Sequence, residues 1–305
     1  MKDAWNVEAA GSFAQKGLSN GFTLEGDSAF VINTVEGGEM EIIVCVKKVL
    51  DPDLPATKFM VDVQRNQVIP PEGIPFVINP YDAIAVEAAL RIKEEKGGRI
   101  TVVTLGDKST DDILRKTLAM GADEGLIISD TSFEESDGFS TAHVLCQAIR
   151  KIGKYDLILC GRQAVDWDRG VVGPTMAEYL GLPIVTLAKG IQVSDGKINV
   201  ERVTTNGYET FEVVLPALVT VSNEFGQARI PSGWGIIKAA KKEIPIWTAK
   251  EIEADPSKIG KEAVRTQLLR LYVPSYERRC EFITGEDINV VAGKLATKLM
   301  EKKQT

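Results

Sequence analysis

A single histidine, His143, serves the whole 305-residue chain. Histidine is the side chain that titrates near neutral pH and the commonest metal ligand, so its scarcity removes the usual general base and most transition-metal centres. His143 itself lies in "STAHVLCQAI", a stretch of helix composition, where a structural place on a helix face is expected. The four cysteines, Cys45, Cys146, Cys160 and Cys280, form no CxxC pair, which excludes a zinc knuckle or an iron–sulfur run at recognisable spacing. Cys45 and Cys160 fall inside the apolar runs "IIVCV" and "LILC", the setting of buried reduced thiols. No metal site is expected. There is no GxSxG elbow, no Walker A loop and no GxGxxG after the first strand, so hydrolase, P-loop and dinucleotide-dehydrogenase readings lose their usual support.

An excess of basic charge is also missing. Lysine and arginine number 36 against 43 acidic residues, a formal net charge of -7, which argues against an extended phosphate-backbone footprint and against nucleic acid as a partner. No apolar run approaches the ~20 residues that span a bilayer, so no transmembrane segment is expected. Residues 1–39 hold six acidic residues, no arginine and no continuous apolar stretch, and read as neither a secretory signal nor a mitochondrial presequence. A cytoplasmic, prokaryotic protein is the expectation.

What is present is hydrophobic residue enough for a full core, 44% of the chain, arranged as alternating short apolar runs and helix-like stretches. "EIIVCVKKV" (Glu41 to Val49) predicts the first strand. A helix over "NPYDAIAVEAALRIKEEKGG" follows, with Asp82 near its start and Gly97 at its stop, then the strand "RITVVTLG". "STDDILRKTLAMGAD" predicts a helix with a Ser109 and Asp112 capping box and Gly121 as its C-cap. The strand "GLIIS", the helix around His143, the strand "YDLILC", the helix "TMAEYLG" and the strand "PIVTLA" complete an alternation that signals a parallel, doubly wound sheet. After Lys189 the texture changes to β-prone stretches broken at Asp195-Gly196 and Asn206-Gly207, which predict an antiparallel β-hairpin leading into a last strand, "ALVTVSN". "EFGQARIPSGWGIIKAAKKEIPIW" fits no alternation and reads as an exposed arm before a terminal helix, "GEDINVVAGKLATKLMEKK". The domain division expected is an N-terminal extension over 1–39, an α/β core over 40–223 and an arm over 224–305.

The loop in "DLILCGRQAVDWDRGVVGPTMAEYLGLP" joins a buried strand to a helix, and so lies at the carboxyl edge of a parallel sheet, where open α/β folds bind ligands. Gly161, Gly170 and Gly173 allow close backbone approach. The helix starting near Val171 points its positive end into the crevice, and Pro174 suits its first turn. Phosphate fits there, with Arg162 or Arg169 to neutralise it and Asp166 and Asp168 to accept hydrogen bonds from ribose hydroxyls. A turn with solvated charges is the alternative, since Gly with Asp is ordinary turn chemistry. Cys45 and Lys47 at the end of the first strand, and Asn79 and Asp82 at a helix start, converge on the same crevice; Lys47 as a surface lysine and Asn79 as a mere N-cap are their alternatives.

Taken together, these segments resemble the beta subunit of electron-transfer flavoprotein. "EIIVCVKKVLDP", "INPYDAIAVEAALRIKE", "TLAMGAD", "DLILCGRQAVDWDRGVVGP", "LPALVTV" and "GIIKAAKKEIP" occur in that family's order and spacing from about Met40 to the C-terminus. Residues 1–39 stand outside the pattern, which makes Met40 a candidate native start. The resemblance implies a Rossmann-like fold of the adenine nucleotide alpha hydrolase type and a heterodimer with an alpha subunit that holds an electron-carrying FAD. It implies electron transfer between a flavin dehydrogenase, commonly an acyl-CoA dehydrogenase, and a further acceptor, with no catalytic residues in this chain. The beta pocket takes AMP or, in bifurcating members, a second FAD. Its contacts carry over to Cys45 and Lys47, to Asn79, Tyr81 and Asp82, to the Leu105–Gly106 turn, and to Arg162, Gln163 and the loop through Gly173. The bifurcating pattern "DGDTAQVGP" stands here as "DWDRGVVGP", with Trp167 for Gly, Arg169 for Thr and Gly170-Val171 for Ala-Gln. "SNEFGQARIPSG" matches the family's recognition loop, with Phe225 at its inserting apolar position and Arg229 as a second partner-binding residue; a loop aromatic packed on its own domain is the alternative for Phe225. Two competing readings are an ATP-using enzyme of the same fold, which lacks here its glycine- and serine-rich loop after the first strand, and a stand-alone nucleotide-binding signalling module.

Overall fold

A computed structural model describes residues 39–274 and 280–303. Nearly all of the expected N-terminal extension therefore lies outside the described residues.

Strand β1 (Glu41–Cys45) is buried from Ile42 onward. The strand expected to run on to Val49 stops there, because the amide of Lys47 leaves the ladder to donate to the Asp82 carboxylate at 2.8 Å. Beyond it, β2 (Lys48–Leu50) starts a small separate layer in which β3 (Met60–Asp62) and β4 (Gln67–Ile69) pair with each other and β5 (Phe76–Ile78) pairs with β2. The alternating region follows: α1 (Pro80–Lys96), β6 (Arg99–Leu105), α2 (Asp111–Met120), β7 (Glu124–Ile128), α3 (Gly138–Ile152), β8 (Leu157–Gly161) and α4 (Val172–Leu180). Next come β9 (Ile184–Ser194), β10 (Lys197–Thr204), β11 (Gly207–Val214) and β12 (Ala217–Val221), and finally α5 (Gly233–Ala240), β13 (Ile246–Trp247) and α6 (Ile288–Lys303).

The main sheet has nine strands in the order β11-β10-β9-β12-β8-β1-β6-β7-β13. From β9 to β13 every neighbouring pair is parallel, while β10 runs antiparallel between β9 and β11 and forms the expected hairpin at one edge. β12 does not add at the end of the sheet but inserts between β9 and β8. Alternation along β1 separates two cores: Ile42 and Val44 meet Val86, Leu90 and Leu114 of α1 and α2, while Ile43 and Cys45 meet Val144, Ile149 and Met176 of α3 and α4. Helices on both faces explain why these strands read as continuous apolar runs.

Two local expectations change. Ser109 and Asp112 form no capping box; Asp107 accepts the Ser109 amide at 2.7 Å, and Lys48 Nζ takes the Ser109 carbonyl at 2.6 Å and Asp112 at 2.8 Å. Gly121 does close α2, at φ 132°. Nor is the stretch after Asn223 wholly an exposed arm: α5 packs on α2, and β13 extends the main sheet beside β7. Gly235 makes that packing possible, since a Cβ there would stand 2.2 Å from the Ala119 carbonyl oxygen.

Candidate functional site

From β1 the chain steps to β6 and β7, then crosses back to place β8 and β12 on the other side of β1. The winding therefore reverses between β1 and β8, and the crevice at the carboxyl ends of those strands is where this architecture accepts ligands. A cleft of ≈ 980 Å³ opens there. Its floor comprises Cys45 at the end of β1 and Lys47 beyond it, Leu105 at the end of β6, Asp82 of α1, and Arg162 and Gln163 after β8. Arg169, Gly170, Val171 and Gly173, at the approach to α4, form one wall. The opposite walls were not legible in the sequence: Arg65 to Gln67, Asp137 to Thr141 at the start of α3, and Val264 to Leu268 from beyond β13. Asp137 had a signal, an Asp directly before a helix; "AVRTQLL" had none.

The remaining expected residues stand behind the lining. Asn79 is fully buried and caps nothing through its side chain; its Nδ2 donates to the Gln163 carbonyl at 2.8 Å and its Oδ1 accepts the Val165 amide at 3.1 Å. Asp82 accepts the Lys47 amide on one oxygen and the Gly161 amide, at 3.0 Å, on the other. One buried carboxylate thus ties the ends of β1 and β8 together. Burial pushes its pKa up to about 7, against the opposing pull of those amides, of Asn79 and of Lys47. Tyr81 lies under the Arg162 guanidinium, 5.7 Å from its carbon to the ring centroid. Gly106 closes the β6 turn by donating to the Ile128 carbonyl, and Pro174 occupies the first turn of α4.

The glycines have steric reasons. A Cβ on Gly161 would come within 2.5 Å of Asp82 Oδ1 and 2.8 Å of the Tyr81 carbonyl carbon, and one on Gly173 within 2.7 Å of Thr220 and 3.0 Å of Cys160 Sγ. Gly161→Ala is expected to destabilise the fold by about 1–3 kcal/mol through overpacking; thermal denaturation reads the loss, and a wild-type melting temperature would refute the tight approach. Gly170 adopts φ 61° and Asp168 φ 50°, left-handed conformations that glycine and aspartate tolerate.

The charges are mostly engaged. Lys47 Nζ meets Asp166 at 2.5 Å, and Gln163 Nε2 donates to Asp168 at 2.8 Å. Arg169 donates to Thr266 Oγ1 at 2.7 Å and lies 5.7 Å over the Trp167 ring. Thr266 and Arg265 in turn donate backbone amides to Asp137, whose other oxygen caps α3. Burial opposes the ionised form of Asp137, yet the bonds from Ser140, Arg265 and Thr266 take its pKa down to about 2. Arg162 differs: its Nε is buried with no hydrogen-bond partner among the described residues, and its Nη1 reaches only Ser222 Oγ at 3.5 Å. The α4 N-terminus has no side-chain cap and no acid in its first turn. A glycine cradle, an uncapped helix end and an under-used arginine are the donor set that a phosphate group satisfies.

Comparison with known proteins decides the family. The Electron transfer flavoprotein domain matches residues 68–252, more than half of the chain. The caffeyl-CoA reductase-Etf complex subunit CarD of Acetobacterium woodii is 41% identical over 86% of this chain and 99% of its own length. The electron transfer flavoprotein subunit beta of Thermoanaerobacterium thermosaccharolyticum is 39% identical over 81% and 93%, and the acryloyl-CoA reductase electron transfer subunit gamma of Anaerotignum propionicum 34% over 86% and 99%. The chain belongs to the electron transfer flavoprotein family. It is an electron-transfer subunit of the beta type, and the mixed α/β sheet described above is that family's fold.

Burial raises the Cys45 and Cys160 thiols well above their usual range and Cys146 to about 12, so none supplies a ready thiolate. Among the described residues no helix is long and apolar enough to cross a membrane. In the segment matched to the recognition loop, Phe225 is partly buried against the α1 core beneath the Arg91 guanidinium, 5.3 Å from carbon to ring centroid. Arg229 is bonded to Glu87 and Glu94 of α1. The apolar side chain that this loop exposes is Ile230, 91% accessible.

Proposed function

We propose that this chain is the nucleotide-binding subunit of a heterodimeric electron-transfer flavoprotein, with FAD in the β1–β8 cleft and a second FAD held by an alpha-type partner. Residues 40–223 form the nucleotide-binding core, walled on one side by Val264 to Leu268, and the rest of 224–305 carries the surfaces for the partner subunit and a redox protein. The observation that carries the reading is the cleft at the reversal of winding: ≈ 980 Å³ stands at the upper end of the ~300–1,000 Å³ usual for ligand pockets, which favours a dinucleotide over AMP. Arg162, Lys47 and the α4 N-terminus hold the phosphates. Asp166 and Asp168 hold ribose hydroxyls, and Trp167 with Arg169 flanks the ring system at the rim. Bound flavin supplies the electron-accepting and electron-donating group; the protein binds it, orients it and excludes water. Two relatives carry acyl-CoA reductases in their names, which supports a flavin dehydrogenase of the acyl-CoA type as the redox partner. Buried reduced thiols fit the cytoplasm.

The test is to purify the chain with its alpha-type partner, denature the complex and count released FAD and AMP. Two FAD per heterodimer supports the reading and opens bifurcation; one FAD with one AMP replaces it by a simple shuttle with a structural nucleotide; no nucleotide and no complex overturns it in favour of a stand-alone module. Arg162→Gln is expected to lower nucleotide affinity about tenfold, the weight of one charge-assisted hydrogen bond, and unchanged retention removes Arg162 from the phosphate site.

A further inference from the structure

We propose that residues 264–271 form a strap that gates the β1–β8 cleft: clasped by Asp137, Arg169 and Asn66, it lifts before a nucleotide enters or leaves. The clasps then set the rate of nucleotide exchange rather than its affinity. This gate presupposes the nucleotide-binding reading above and adds to that site a control over exchange.

Residues 264–271 belong to no helix or strand, and among the described residues they make no backbone-to-backbone hydrogen bond. Side chains of three other parts of the fold hold them instead. At the start of α3, Asp137 Oδ1 accepts the Phe139 and Ser140 amides, while its Oδ2 accepts the Arg265 amide at 2.8 Å, the Thr266 amide at 3.0 Å and the Thr266 hydroxyl at 3.1 Å. One carboxylate thus caps a helix and grips the strap. The same hydroxyl oxygen accepts from Arg169 Nη1 at 2.7 Å. Arg169 and Thr266 stand on different walls of the cleft, so this bond crosses it. Both Arg169 and Gln267 are exposed, whereas Asp82 and Cys45 on the floor are buried, which puts the crossing at the rim. At the far end, Asn66, in the turn between β3 and β4, accepts the Leu271 amide at 2.8 Å and donates to the Leu269 carbonyl at 3.4 Å. Asn66 also lines the cleft, at φ 52°, a left-handed conformation that asparagine tolerates. No residue of the strap is buried. A segment held by a few side-chain bonds, with little apolar area covered, opens locally at far lower cost than the sheet beneath it. The walls built on α3 and α4 are anchored in the core through Val144, Ile149 and Met176, so the strap is the wall that moves.

The experiment uses the assembled heterodimer with radiolabelled FAD and AMP as probes. Uptake of label gives the on-rate, and its loss into unlabelled nucleotide the off-rate; FAD held by the alpha-type partner exchanges in a separate phase that serves as the internal reference. Thr266→Val removes the hydroxyl that joins Asp137 to Arg169 and keeps both strap amides on Asp137. Asn66→Gly removes the far tie and keeps the left-handed turn, so it gives the same readout should Thr266→Val fold poorly. Each is expected to raise both rates about tenfold, the weight of one or two hydrogen bonds, with Kd unchanged. The pair together should reach about a hundredfold, because the two ties share no partner. The Arg265 and Thr266 amides in the first variant, and the Leu271 amide in the second, should exchange with solvent about tenfold faster. Thr266→Ser, which keeps the hydroxyl, restores wild-type rates. A faster off-rate with an unchanged on-rate makes these residues ligand contacts and overturns the gate. Unchanged rates overturn it too, whether or not the amides exchange faster, provided the wild type takes up label normally. A wild-type heterodimer that takes up neither nucleotide overturns the nucleotide reading itself, and the gate with it.

Discussion

Asp82→Asn is expected to strip the cleft of its nucleotide and to flatten the pH dependence of stability. In the wild type, each carboxylate oxygen accepts one backbone amide, from Lys47 at 2.8 Å and from Gly161 at 3.0 Å. An asparagine offers one acceptor and one donor, so a donor is forced against one of those amides. An unsatisfied buried donor costs about 1–3 kcal/mol, and here the strain falls at the ends of β1 and β8, where the phosphates are proposed to sit. Nucleotide retention is expected to fall by about tenfold to a hundredfold, read as nucleotide released per denatured heterodimer. Unchanged content would show that the join between the strands does not matter to the ligand.

The pH effect has the opposite character. The folded Asp82 binds its proton more tightly than an ordinary aspartate, with a pKa of about 7 against 3.8. A raised folded pKa means that its stabilising contribution is complete below about pH 4 and is lost as the pH rises through 7. The span is on the order of 4 kcal/mol, taken from 1.36 kcal/mol per pH unit. Asp137, held down to about 2, works the other way: its contribution is present above pH 4 and is lost as the pH falls through 2. Urea denaturation between pH 5 and 8 excludes Asp137, which stays ionised throughout, and sets Asp82 against His143, whose pKa burial holds below the usual imidazole range and whose contribution therefore runs the other way, rising with pH. The Asn variant should lack the decline that the wild type shows over that range; a decline of equal slope in both assigns it to other groups.

Asp82 also shows how far the sequence could be read. Its place at a helix start and beside a crevice was legible, because strand–helix alternation with glycine stops fixes the order of elements, and a parallel sheet fixes which loops share an edge. What the alternation could not convey was where a strand is cut short by a side chain, as at Lys47, because that needs a partner 35 residues away. It could not convey that Thr266 and Asp137 close the far wall of the cleft, for the same reason: their contact spans 129 residues, and neither stretch has a periodicity that announces it. The capping box failed for a mixed reason: Asp107, two residues away, takes the Ser109 amide, and Lys48, remote in sequence, draws off the Asp112 carboxylate. At Lys47 and at Thr266 a long-range polar contact overrode a local preference, whereas the hydrophobic pattern, which is local and repeated, held.

The same distinction makes Asn79 the more severe test of the site. Read as a helix cap, Asn79 would be worth about 1 kcal/mol of stability, and its loss would leave the cleft intact. In the structure its amide holds the backbone of the binding loop at two points, the Gln163 carbonyl and the Val165 amide, from a position with no solvent access. Asn79→Ala leaves both groups, which lie in half-buried residues, without their partner, at up to about 1–3 kcal/mol each, and a loop whose next residues are exposed relieves that cost by moving. The loop between Arg162 and Gly170 is expected to rearrange, with loss of nucleotide far beyond the effect of any single phosphate contact. Asn79→Asp separates the two bonds: its carboxylate still accepts from Val165 but repels the Gln163 carbonyl, so it should fall between wild type and Ala in nucleotide content and in protection of the 163–165 amides from exchange. An Ala variant that keeps its nucleotide and loses only about 1 kcal/mol returns Asn79 to the role of a cap and moves the support of the loop elsewhere.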